Sequence, residues 1–163
     1  PDEHFRFSLL DAMKRAKIEA ISEFEESKVK ENIAVIDKEV GYQKRSFVKT
    51  VNCFNYWMTL RERGKHIINY FIQSEIAVYG YGTLGKHLVQ ELDNSDISIK
   101  YIIDKNVRLN HLKYDFKMPD QNLPHVDAII VTPVDEFDNI YDILKNYTND
   151  KIISLLEITS ELM

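Results

Sequence analysis

An apolar run, Ile76-Ala77-Val78-Tyr79, passes directly into Gly80-Tyr81-Gly82-Thr83-Leu84-Gly85, and three of the chain's 5 glycines fall within those six positions. A buried strand that turns sharply into a helix needs a glycine at each of these points for a different reason. Gly80 permits the tight turn out of the strand. Gly82 leaves the backbone open to an approaching pyrophosphate. Gly85 lets the helix lie close to the sheet. The N–H groups around Thr83 and Leu84 have no partner inside such a helix, and the helix dipole favours negative charge in front of them. The continuous apolar run suits a parallel strand covered on both faces. Leu84, Leu88 and Leu92 give the following helix its inward side, so a helix is predicted from Thr83 to Leu92.

The remaining C-terminal sequence repeats this alternation. Strands are predicted over residues 97–103, 126–131 and 152–156. A helix is predicted over about residues 134–147, with Phe137, Ile140, Ile143 and Leu144 inward. Residues 107–124 are polar, contain Pro119 and Pro124, and offer at most a short edge strand around Tyr114-Asp115-Phe116. Residues 156–163 read as a closing helical turn. The pattern predicts an α/β fold over 74–163, a Rossmann-like three-layer domain with a short, mostly parallel sheet of about four or five strands. Two further segments then reach the ligand edge. Asp104 closes the second strand about twenty residues after the turn, where a carboxylate accepts hydrogen bonds from an adenosine ribose; as an alternative, Asp104-Lys105-Asn106 is good turn chemistry. A carboxylate there favours NAD over NADP, while Lys105 beside it works the other way. Thr132 and Pro133 follow the third strand; Thr132 offers a hydroxyl to a sugar, or the pair simply ends the strand.

Residues 1–73 predict an α-helical N-terminal extension. One helix is expected over about residues 4–30, with Leu9, Met13, Ala16, Ala20 and Phe24 on one side. Residues 32–40 fit neither helical nor strand period, and Gly41 reads as a break. A second helix is expected over about residues 46–63, with Phe47, Val51, Phe54 and Met58 lining one face beside Trp57, and Gly64 ending it. A short third helix is expected over residues 65–73. The aromatic stripe reads as internal core, as a homodimer surface or as a contact with another domain.

Charge and composition narrow the functions. The net charge is -5, but residues 1–74 hold 13 Lys+Arg against 11 Asp+Glu, and the remainder holds 8 against 15. An acidic ligand domain lacks the basic face that nucleic acid requires. A nucleotide still fits, because helix N–H groups hold phosphate without a basic residue. The single cysteine, Cys53, excludes an internal disulfide or a cysteine-cluster metal site and reads as a buried core thiol, which suits the cytoplasm. No run reaches membrane-spanning length, and no signal peptide is read. The chain starts at Pro1, as a piece of a longer protein would. None of the five histidines, His4, His66, His87, His111 and His125, belongs to a recognisable catalytic constellation. His125, after Pro124, is the best of them for acid/base work. Tyr141 and Lys145 have the spacing of a reductase pair but sit in an ordinary amphipathic pattern. No metal ligand set and no catalytic group is assigned.

Taken together, Ile76 to Lys86, Ile102-Ile103-Asp104-Lys105-Asn106, Val126 to Pro133 and Ile152-Ile153-Ser154-Leu155 resemble a group of small bacterial NAD(P)-binding Rossmann-like domains. These occur in, or attached to, surface-polysaccharide biosynthesis proteins, including glycosyltransferases and nucleotide-sugar enzymes. The resemblance covers roughly residues 55–160. It implies a nucleotide-binding module, with NAD, NADP or a nucleotide-sugar as ligand and no complete catalytic site of its own. Tyr81 departs from the group, which usually has a small residue or Met there, and its ring is expected to crowd or stack on a ligand. Two other functions stay open: an active NAD-dependent oxidoreductase or sugar-nucleotide-modifying enzyme, and a structural or oligomerisation domain whose glycine turn is vestigial.

Overall fold

The structure, a computed structural model, describes residues 3–71, 74–105, 113–119 and 122–163. It divides into two compact units, residues 1–44 and 45–163. A single α-helix, α1, runs from Glu3 to Glu62 without interruption. The expected helix break at Gly41 does not occur. One glycine costs a helix only about 1 kcal/mol, which its neighbours, all helix-compatible, absorb. The helix ends at Gly64, as expected. This residue takes φ +70°, and the N–H groups of Gly64 and Lys65 donate to the carbonyls of Arg61 (3.0 Å) and Leu60 (2.9 Å). That is the paired bonding of a Schellman stop, which satisfies the last helical carbonyls. The expected third helix is a single 3-10 turn, Ile67–Tyr70; its expected last residues, 72 and 73, lie outside the described residues.

In the second unit, β1 (Glu75–Tyr79), α2 (Thr83–Leu92), β2 (Ser98–Ile103), β3 (Phe116–Lys117), β4 (Ala128–Val131), α3 (Phe137–Leu144), β5 (Lys151–Ser154) and α4 (Leu155–Glu161) follow in turn. The five strands form one sheet in the order β3-β2-β1-β4-β5, and every pairing is parallel. This is the Rossmann-like three-layer α/β fold. The central strands are buried on both faces, and successive side chains enter opposite cores, as a pleated sheet requires. Ile76, Val78 and Ile130 face one core together with Leu88, Leu92 and Ile158. Ala77, Tyr79, Ile129 and Val131 face the other with Ile140 and Leu144. Ser154 starts α4, its hydroxyl accepting from the Leu156 N–H at 3.3 Å.

The sequence division at residue 74 leaves Cys53, Trp57, Leu60 and Ile67 outside the α/β domain, yet all four are buried in the second unit. The helix face that packs there is Cys53/Trp57/Leu60. The expected stripe lies beside it, with Phe47 69% and Phe54 46% exposed. Glu91 of α2 fixes the contact. Its carboxylate accepts from Trp57 Nε1 at 2.7 Å and from the Ile67 N–H at 2.6 Å. The buried Cys53 thiol is pushed up to about 11 by desolvation, partly offset by its hydrogen bond with Thr159, so it stays an inert core thiol. Replacing Trp57 by Ala is expected to cost about 3–5 kcal/mol, the range for emptying a large aromatic site. Denaturant unfolding followed by circular dichroism measures it, and a loss under about 1 kcal/mol would mean that the helix end is not core.

Candidate functional site

Strand order reverses direction between β1 and β4, because β2 and β3 lie to one side of β1 and β4 and β5 to the other. In open α/β sheets the crevice beyond the carboxyl ends of such strands is where ligands bind. Here that crevice holds Gly80 to Gly82 after β1 and Thr132-Pro133 after β4.

The turn is built by close approach. Gly80 has φ +89°, a conformation that side chains disfavour. A Cβ on it would also meet Pro133 Cδ at 2.8 Å and Thr132 Oγ1 at 2.9 Å. A Cβ on Gly85 would stand 2.0 Å from the Gly80 carbonyl oxygen, so helix α2 sits on the turn only because position 85 is bare. Gly82 differs. It is the N-cap of α2 at φ -72° with no side-chain cap, and a Cβ there would have nothing within 4 Å. Among the described residues, no side chain or loop carbonyl accepts from the N–H groups of Gly82, Thr83 or Leu84, the set that points out of the helix start.

Two residues with expected ligand roles hold this turn. Thr132 is 3% exposed, and its hydroxyl lies 3.0 Å from the carbonyl oxygens of both Tyr79 and Gly80. Its one proton is therefore committed to the backbone beneath the turn rather than to a sugar. Asp104 Oδ2 accepts from the Tyr81 N–H at 2.7 Å, and the Asp104 N–H donates to Lys117 O at 3.1 Å. The carboxylate thus ties the end of β2 to the glycine turn. The Tyr81 ring does not line the crevice. It meets Phe116 edge-on, with centroids 5.5 Å apart, on the α2 side of the sheet.

On the opposite side of the sheet, Tyr79, Gly80, Asp104, Lys105, Pro133, Glu136 and Ile140 enclose a cleft of about 290 Å³. Asp104 and Glu136 make it acidic, with Lys105 at its exposed rim. The Tyr79 side chain is buried there, and its hydroxyl has no hydrogen-bond partner among the described residues. Burial raises its pKa, and the negative charges of Asp104 and Glu136 add to the shift. An unpaired buried hydroxyl costs about 1–3 kcal/mol. Nothing in the sequence marks Tyr79 beyond its place at the end of an apolar strand; the signal is what stands opposite it in space.

Among the described residues no histidine lines this cleft. His125 precedes β4, at the amino edge of a parallel sheet whose crevice is at the carboxyl edge. Its Nδ1 pairs with Asp150 at 2.5 Å, just before β5. Asp150 is desolvated, which raises its pKa, but the Val126 N–H, His125 and Thr148 outweigh this and hold the carboxyl below its ordinary value. His87 is exposed on α2. Lys145 lies over the Tyr141 ring at 4.9 Å, a surface contact on and beyond α3. His111 lies outside the described residues. Among the described residues no three His, Cys, Asp or Glu side chains group as a metal site. No helix is long and apolar enough to cross a membrane. No protein-family model, curated protein or solved structure matches the chain.

Gly85→Ala is expected to destabilise the protein by at least 1–3 kcal/mol, roughly the cost of forcing an atom into a packed site. Gly82→Ala should cost less, about 0.5–1 kcal/mol, the difference between Gly and Ala at an N-cap. Urea midpoints of the two variants check this; equal midpoints would contradict the close approach of α2.

Proposed function

We propose that residues 45–163 are a nucleotide-binding domain whose ligand carries a diphosphate and a ribose. NAD(H) is favoured, with NADP(H) and nucleotide-sugars as the related alternatives. The reading rests chiefly on the backbone N–H groups of Gly82, Thr83 and Leu84, held without acceptors at the start of α2 where a fixed helix dipole faces the crevice. It has independent support on the other side of the turn. The cleft by Tyr79 has two carboxylates in its lining and a buried, unpaired hydroxyl behind them, a chemistry that suits sugar hydroxyls and repels a 2′-phosphate. The diphosphate lies at the bare backbone of Gly82, and the ribose lies towards Tyr79, Asp104 and Lys105. Thr132 and Pro133 act by shaping the turn. No proton donor is assigned beside the ligand, so the domain works as a binding module. The resemblance of its motifs to domains of bacterial surface-polysaccharide biosynthesis proteins suggests that setting, in the cytoplasm.

Thermal unfolding with NAD(H), NADP(H) and UDP-sugars tests this. A ligand at 100 times its Kd adds about 2.7 kcal/mol to stability. Gly82→Ala should abolish that gain by placing a methyl group against the diphosphate. Tyr79→Phe should leave the free protein as stable or more stable by about 1 kcal/mol, since it removes an unpaired hydroxyl, and should weaken binding about tenfold. No stabilisation by any of these ligands would refute the proposal.

A further inference from the structure

Every described side chain from Leu10 to Val40 is exposed, although α1 carries large apolar residues throughout this stretch. Four of them are spaced as a coiled-coil seam. Val29, Ile33, Ile36 and Val40 follow one another at intervals of four, three and four, and each is between 52% and 60% exposed. Writing Ile33 and Val40 as heptad a and Val29 and Ile36 as d, the sequence continues with Gln43 (d), Phe47 (a), Thr50 (d) and Phe54 (a). Six of eight seam positions are then apolar over nearly four heptads, the span that distinguishes a coiled coil from chance. The seam begins at Val29, because the preceding a and d positions are Glu26 and Ser22. Helices in water draw most of their stability from burying an apolar face. Residues 10–40 bury none within one chain, and the described ion pairs there, Asp11–Arg15 and Glu26–Lys30, are exposed pairs within the helix, worth tenths of a kcal/mol each by the usual scale.

The flanking charges identify the partner. In the same heptads the g positions are Glu25, Asn32 and Glu39, and the e positions are Lys30, Asp37 and Lys44. Parallel, in-register helices bring each g to the e five residues on in the neighbouring chain. Glu25 then meets Lys30, Glu39 meets Lys44, and Asn32 meets Asp37, with no like-charge pair. Each apolar seam residue also stacks on its own copy. An antiparallel pairing that covers the same span, residues 29–54, joins only Asp37 to Lys44. Within one helix Lys30 is shared with Glu26 at 2.7 Å, and Glu39 accepts from Gln43 at 2.8 Å; both groups remain exposed and within reach of a neighbour. We propose that this face of α1 is a self-association surface that takes further copies of the same chain in a parallel coiled coil. β-branched residues at both a and d shift the preference from two strands to three or four.

Sedimentation equilibrium of the whole chain should give the mass of three or four copies. Ile33→Glu with Ile36→Glu should return it to one copy. Thermal unfolding of the α/β unit should persist in that variant, because both positions lie outside residues 45–163. Glu39→Lys should weaken association about tenfold, and adding Lys44→Glu should restore it. Ile33→Cys should form an interchain disulfide on oxidation, as only a parallel in-register seam places position 33 against itself; Cys53 is buried and does not compete. A monomer throughout the concentration range, association indifferent to the glutamates at 33 and 36, or no cross-link at position 33 would each overturn the proposal. None of these readouts depends on nucleotide binding.

Discussion

Helix α2 rests on the end of β1 with the Gly80 carbonyl where a side chain of residue 85 would be. That approach fixes everything around the crevice. It demands a bare position 85, it forces Gly80 into a left-handed conformation against Pro133, and it leaves the first amides of α2 facing outward. Thr132 and Asp104 then lock the arrangement, one from beneath the turn and the other from the end of β2. Three adjacent strands, β1, β2 and β4, therefore contribute to one small backbone structure. Because its donors are backbone groups on rigid elements, their direction needs no rearrangement when an anion arrives, which is what makes such helix starts effective phosphate sites.

The α/β half was legible because its signals are local and agree with one another. Buried parallel strands read as apolar runs, glycines mark the turn, and the three-and-four spacing of Leu84, Leu88 and Leu92 sets the helix between them. The predicted span Thr83–Leu92 is the observed one. Even the two-residue edge strand β3 lies beside the Tyr-Asp-Phe segment that the sequence offers for it. Around residues 32–41 the same method fails for a physical reason. Helical period is visible when one face is buried. Where α1 buries nothing within the chain, the apolar residues near 32–40 follow a different face from those near 9–24, and the change looks like a loss of structure. The glycine at 41 strengthens that impression, yet its cost is too small to end a long helix.

At the site, the packing roles of Gly80 and Gly85 are legible from spacing alone, since close backbone approach admits few other residues. For the supporting side chains the sequence left two roles open, and the structure shows one of them: Thr132 and Asp104 stand where ligand contacts are expected, and both touch the turn itself. Sequence cannot separate these roles, because both require a short polar side chain at the end of a strand. Tyr79 could not be found at all, since an unpaired hydroxyl is a property of its surroundings. His125 reads from sequence as the best histidine for acid/base work, whereas the direction of β4 puts it at the end of the sheet away from the crevice. The two units of the chain also divide the proposed work. Residues 45–163 hold the proposed nucleotide site, and the heptad stripe, which starts in residues 1–44, is the proposed surface for assembly.

The central claim concerns three amides, so it is tested most directly by observing them. In a ¹⁵N-labelled sample titrated with NAD, the N–H resonances of Gly82, Thr83 and Leu84 should move together and saturate, with smaller changes at Gly80 and Asp104. If those three stay fixed up to millimolar nucleotide, or if the moving resonances map to another face of the sheet, the helix start is not an anion site and the account given for this crevice is wrong.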